Sequence, residues 1–111
     1  MDVIRWTGIT PPGEQELRQC MQQAGLSPYS WSNAPGTIYA LHSHNYETVL
    51  YCVCGSIRFV LPDQPVGQQH IDLAPGDCMI LAPGIRHSAY VGPFGVTCLE
   101  AARQVSALSS L

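Results

Sequence analysis

Residues 42–55 read HSHNYETVLYCVCG. The apolar run at its end, bounded by glycine, has the composition of a β-strand. Gly55-Ser56 predicts a two-residue hairpin of type II′, joining strands over 47–54 and 57–62. That turn sets Cys54 opposite Ile57, Cys52 opposite Phe59 and Leu50 opposite Leu61, six residues of one apolar face. Val49, Tyr51, Val53, Arg58 and Val60 fall on the other. Counting back by twos from Leu50 reaches Thr48, Tyr46, His44 and His42, so both histidines share the core-facing side if the strand is continuous.

Two histidines at i and i+2 on a strand project from one face, about 6–7 Å apart along the backbone, and can converge on one ion. Alone, the pair reads equally as two solvated or hydrogen-bonded imidazoles. A second segment adds weight. Residues 75–87 read PGDCMILAPGIRH: a turn at Pro75-Gly76, a short buried strand over 78–82, a turn at Pro83-Gly84, and then His87. Three of the chain's four histidines lie in these two segments.

Together the segments resemble the cupin superfamily. Its first motif runs G, five residues, HxH, three or four residues, E, six residues, G, and Gly36, His42, His44 and Gly55 match it. Its second runs G, five residues, PxG, two residues, H, three residues, N, and Gly76, Gly84 and His87 match it. The departures are Ala82 for the proline, with Pro83 keeping the turn, Val91 for the asparagine, and Thr48 where the family places its metal-binding glutamate. The resemblance implies an all-β, cupin-type antiparallel β-barrel, jelly-roll-like, over residues 36–101. It also implies one divalent transition metal ion held by His42, His44 and His87.

Glu47 stands one position early for the family glutamate. On a regular strand it points outward and Thr48 takes its place. A turn or bulge at Asn45-Tyr46 re-registers the face and swings Glu47 in. Glu47 is the sole acidic residue between Gly36 and Gly55, so it is taken as the fourth ligand; the alternative, with Thr48 in its place, is a site of three histidines plus water. Histidine and carboxylate donors suit Fe, Mn, Ni or Zn alike. Of the remaining polar groups, His70 reads as an edge or surface residue and Arg86 as a surface group. Tyr46 and Thr48 are candidates for the pocket, and Glu100 for a partner of a ligand.

The rest of the chain supplies context. With 111 residues, 46% hydrophobic and 12% charged, it reads as a single domain, 1–111, that can fill a core. Residues 1–35 hold an N-terminal strand, a helix and an arm. The helix is expected to be capped by Thr10, to begin at Pro11 or Pro12, to carry Leu17, Cys20, Met21 and Ala24 as its apolar stripe, and to end at Gly25. The arm, LSPYSWSNAPG, is expected to bury Tyr29 and Trp31 against a neighbouring surface of this chain or of another subunit. Further strands are expected over 37–42, 69–73, 87–91 and 96–101, the last two separated by a turn at GPFG, and residues 102–111 form a loose or weakly helical tail.

The net charge is −3, there is no lysine, and the five arginines are scattered, which argues against nucleic acid as a partner. No apolar run reaches membrane-spanning length. The N-terminus lacks a signal-peptide pattern, so a cytoplasmic location is expected. The five cysteines read as free thiols, and Cys52-Val53-Cys54 as a metal or redox pair only superficially. Outward Val49, Tyr51, Val53 and Val60 offer an apolar surface for a homodimer. The expected function is a metal-dependent enzyme, nominally an oxygenase, acting on a small molecule. The alternatives are a non-catalytic binder serving as sensor or store, and a metal-free dimer whose histidines are merely hydrogen-bonded.

Overall fold

Two long strands organise the molecule, and both run through glycines that the sequence suggested as turns. The computed structural model describes residues 2–103. In chain order the elements are β1 (Asp2–Ile4), α1 (Glu14–Gln23), β2 (Tyr29–Asn33), β3 (Ile38–His42), β4 (Glu47–Val60), β5 (His70–Leu73), β6 (Cys78–Leu81) and β7 (His87–Arg103). β4 and β7 pair antiparallel along most of their length, from Glu47 opposite Arg103 to Val60 opposite Ser88. All strand pairings are antiparallel.

Each end of this central pair carries its own neighbours. The first half of β4 pairs with β6, which pairs with β1, and the second half of β7 pairs with β2. The second half of β4 pairs with β5, and the first half of β7 with β3. The two halves enclose a core of Leu50, Cys52, Met79, Leu81, Val96 and Cys98 from one side and Ile57, Phe59, Leu61, Ile71, Leu73, Ala89 and Val91 from the other. This is the expected jelly-roll-like, all-β architecture, and the sheet does not close into a complete barrel.

Gly55-Ser56 is therefore not a hairpin. Between Gly55 opposite Val96 and Ile57 opposite Val91, β4 spends one residue where β7 spends the four residues Gly92–Gly95, and a second irregularity lies at Val53. These bulges bend both long strands. They also shift the alternation, so the core face changes from Leu50 and Cys52 to Ile57, Phe59 and Leu61. The expected apolar set is nearly right because a hairpin and an odd number of inserted residues shift parity alike. The exception is Cys54, which is exposed while Cys52 is fully buried. The bulge puts them in different environments, and all five cysteines are free. GPFG, expected as a turn, is likewise a bulge within β7.

The outer face of the first half is covered by α1. Leu17 and Met21, one helical turn apart, pack with Val49, Cys78, Leu99 and Ala101, and with the edges of Tyr51 and Val53. Three of the four residues proposed as a dimer surface thus lie under the helix. The helix begins later than expected. Gly13 is its N-cap and no side chain caps it, so Thr10 has no such role. Its end follows the sequence: Gly25 adopts φ +82°, and the N–H groups of Gly25 and Leu26 donate to the carbonyls of Gln22 and Met21, a Schellman closure. Cys20 and Ala24 of the expected stripe are exposed. The weakly helical tail expected over VSALSSL lies outside the described residues.

Asp77, 7% exposed, ties the N-terminal segment to this frame. Its carboxylate accepts from the backbone N–H groups of Trp6 and Ala74 and from Arg5. Burial alone raises a carboxyl's pKa, but those three donors outweigh it and hold Asp77 below the usual carboxylate value.

Gly55 has no room for a side chain. Its φ is +76°, and a Cβ there would lie 2.0 Å from the Gly95 carbonyl oxygen. Gly55→Ala is expected to cost about 2–4 kcal/mol of stability, measured by urea unfolding. A loss below about 0.5 kcal/mol contradicts the close packing of β4 on β7.

Candidate metal centre

The three motif histidines are assembled by strand pairing and one loop contact. β3 runs beside the start of β7 with His42 directly opposite His87, after an irregularity between Tyr39 and His42. His44 is not on a strand continuous with Leu50, as the counting by twos assumed. It sits in the four-residue connection between β3 and β4. The N–H of Gly84 donates to the His44 carbonyl at 2.8 Å, tying this loop to the Pro83-Gly84 turn that leads into His87. Ring centroids lie 4.4 Å apart for His42 and His87, 4.9 Å for His42 and His44, and 5.3 Å for His44 and His87. One nitrogen from each ring falls within 4.8 Å of the others.

The hydrogen bonds indicate which nitrogens are free. Nδ1 of His42 lies 2.7 Å from the Ala40 carbonyl, and Nδ1 of His87 lies 2.9 Å from the Ile85 carbonyl. A carbonyl only accepts, so both Nδ1 atoms carry the proton. Nδ1 of His44 is engaged by the Thr48 hydroxyl at 3.1 Å. Each neutral ring is left with Nε2 for an ion, with the second nitrogen oriented by a protein oxygen, as in metal-ligating histidines generally. Burial, followed by the neighbouring His42, lowers the His44 pKa. For His87, burial and the two other imidazoles outweigh the carbonyl of Ile85 and the Glu100 charge, which act upward. Both effects favour the neutral, ligating form. The donor set fits a divalent transition metal.

Glu47 is not brought to this cluster. It opens β4 on the outward face, opposite Arg103, and its carboxylate pairs with that guanidinium. The strand is regular from Glu47 to Cys52, so Thr48 faces inward, 3% exposed, and its hydroxyl meets the His44 ring. Tyr46 stacks on His44 at 4.8 Å. His70 is exposed on β5, and Arg86 pairs with Asp63 at the surface through two hydrogen bonds; neither joins the cluster.

The histidines open onto a cavity of about 350 Å³ between the two half-sheets. Its floor is apolar, formed by Leu50, Ile57, Phe59, Met79, Leu81 and Ala89, and Tyr29, Trp31, Tyr39 and Glu100 line it as well. The neighbouring surface expected for the arm is that of its own sheet, in which it forms β2 beside β7. From β2, Tyr29 Oη and Trp31 Nε1 donate to the two carboxylate oxygens of Glu100, at 2.8 and 3.1 Å. The role of Tyr29, Trp31 and Tyr39 was not legible in the sequence. The one signal was the i, i+2 spacing of Cys98 and Glu100 within 96–101, whose inward face could not be fixed from the strand before GPFG because the bulge changes the parity.

Linkage gives a stability signature for the metal-free protein. The folded pKa values of His44 and His87 lie below the ordinary 6.5, so the unfolded chain binds these protons first. Their contribution is present above pH 6.5 and is lost as pH falls from there through the folded values. Urea unfolding of chelator-treated protein between about pH 7.5 and 5 is expected to show declining stability, with a shallower decline in His87→Ala. Identical slopes in the two proteins contradict the burial of a neutral His87.

Comparison with known proteins agrees with this geometry. The cupin family model matches residues 13–92. No curated protein matches the sequence. Among solved structures, DMSP lyase DddQ from Ruegeria pomeroyi superposes with a TM-score of 0.62 at 22% identity, over 74% of this chain and 40% of that one. A variant oxalate decarboxylase from Bacillus subtilis gives 0.61 at 24% identity, over 71% of this chain and 21% of that one. A cupin superfamily protein from Desulfitobacterium hafniense gives 0.57 at 19% identity, over 71% and 67%. At such identities the likeness shows the fold, and this chain spans only about two fifths of the lyase. No described helix is long and apolar enough to cross a membrane. With most of its length matched by the family model and both histidine motifs brought together at one end of a jelly-roll-like sheet, the chain belongs to the cupin family.

Proposed function

We propose that this cupin binds one divalent transition metal ion through His42, His44 and His87 and acts on a small molecule in the adjoining cavity. The observation that carries the reading is the shared arrangement of the three imidazoles: each has Nδ1 engaged by a protein oxygen, leaving three Nε2 atoms to converge. Three neutral donors leave the ion's charge uncompensated and positions open, and such an ion supplies Lewis-acid polarisation of an oxygen-bearing substrate or activation of dioxygen.

The residues around it have definable tasks. Ala40, Ile85 and Thr48 hold the ring orientations. The apolar floor excludes water and orients a small molecule by shape. Glu100 offers a carboxylate at the cavity wall, a polar group beyond the metal ligands with which a reaction could be run. It favours the enzyme reading over the non-catalytic binder. The lyase and the decarboxylase among the fold neighbours support small-molecule bond cleavage as a reaction class alongside the nominal oxygenase. Oxygen uptake on turnover separates the two.

Elemental analysis of untagged protein is expected to find near-stoichiometric metal in the wild type and in Glu47→Ala, and at least about tenfold less in His87→Ala. Thr48→Val, which frees the His44 ring, is expected to weaken metal affinity about tenfold without removing a ligand. Metal retained in folded His87→Ala, or lost in Glu47→Ala, contradicts the three-histidine site.

A further inference from the structure

Among the described residues three carboxylates have no arginine partner, and one of them faces the cavity. The sequence has eight acidic residues, five arginines and no lysine. Every arginine pairs with a different carboxylate: Arg5 with Asp77, Arg18 with Glu14, Arg58 with Asp72, Arg86 with Asp63 and Arg103 with Glu47. Among the described residues, Asp2, Glu16 and Glu100 have no arginine. Asp2 and Glu16 are exposed to solvent, whereas Glu100 is partly buried and lines the cavity.

Glu100 is also held in place. Tyr29 and Trp31 each donate to one of its oxygens, which fixes the carboxylate and uses two of its roughly four acceptor sites. Trp31 is in turn braced by Tyr39 in an edge-on contact, with centroids 5.6 Å apart, and all three rings line the same cavity. A fixed anionic group beside aromatic rings in a largely apolar cavity is the chemistry that recognises an organic cation, which is weakly hydrated and attracted both to the charge and to the ring quadrupoles.

We propose that Glu100, with Tyr29, Trp31 and Tyr39, forms a subsite for a small organic cation of the ammonium type, so that the cavity takes a molecule with a cationic group at this wall and an oxygen-bearing group toward the histidines. The substrate class rests on the reading of the cavity as a small-molecule site. The cation subsite itself needs no metal.

The test uses tetramethylammonium chloride as probe and tert-butanol as a neutral probe of similar shape, titrated into the full chain with and without metal. Tryptophan fluorescence, to which Trp31 contributes, and ligand-observed NMR report binding. Saturable binding of tetramethylammonium is expected, weakened about tenfold or more by Glu100→Gln, with Glu100→Asp intermediate and tert-butanol indifferent to both. Circular dichroism establishes that the variants are folded. Persistence of this binding in metal-free protein, or in His87→Ala, upholds the subsite even where the metal reading fails. Absence of tetramethylammonium binding, equal binding to wild type and Glu100→Gln, or tert-butanol binding as tightly as the cation overturns it.

Discussion

The pairing of β4 with β7 is the constraint on which the rest depends. Each strand belongs to both half-sheets, so a single ladder fixes how the halves face one another. Its bulges at Val53, Gly55 and Gly92–Gly95 are required by that geometry, because a straight ladder cannot serve two facing sheets. They are also why inward-facing residues change parity along both strands. Leu50 and Glu100 enter the cavity from one half, and Phe59 and Ala89 from the other. The site lies where the halves meet, and its shape follows from how sharply these two strands bend.

The histidines draw their placement from the same ladder. His87 is the first residue of β7, and its partner across the pair with β3 is His42. His44 comes from a loop that has no register of its own and is positioned by Gly84 and Thr48. The three histidines are thus drawn from two strand ends and one tethered loop rather than from a continuous strand. Placing groups this way lets the protein hold polar imidazoles beside an apolar core, since each ring nitrogen that faces protein has an oxygen within hydrogen-bonding distance.

Much of this was legible in the sequence. The spacing of His42, His44 and His87 within two glycine-bounded segments pointed to the family and to the trio, and Gly25 marked the helix end through its required conformation. The errors share a cause. Gly55-Ser56 and GPFG carry local turn chemistry, yet the glycines serve close approach of two backbones and a bulge, which only the tertiary partner reveals. Alternation carried unbroken from Ala89 and Val91 would have turned Glu100 outward; the GPFG bulge changes the parity and brings it in. Assuming a continuous strand from His42 to Leu50 gave the right companions for the wrong reason. The placement of Glu47 hung on one residue of register, and a single slip exchanges the two faces of a strand. Which surface Tyr29 and Trp31 meet is not local information, because nothing local shows that an edge strand folds back onto its own sheet.

The central claim is that three imidazoles, oriented through their Nδ1 atoms, hold one metal ion without Glu47. A crystal structure of metal-reconstituted protein, with data collected across the absorption edge of the metal added, tests it most directly. The account predicts a single anomalous peak within bonding distance of Nε2 of His42, His44 and His87, with Glu47 still paired to Arg103. A peak bonded to Glu47, ligation through Nδ1, or a peak elsewhere in the chain would contradict it.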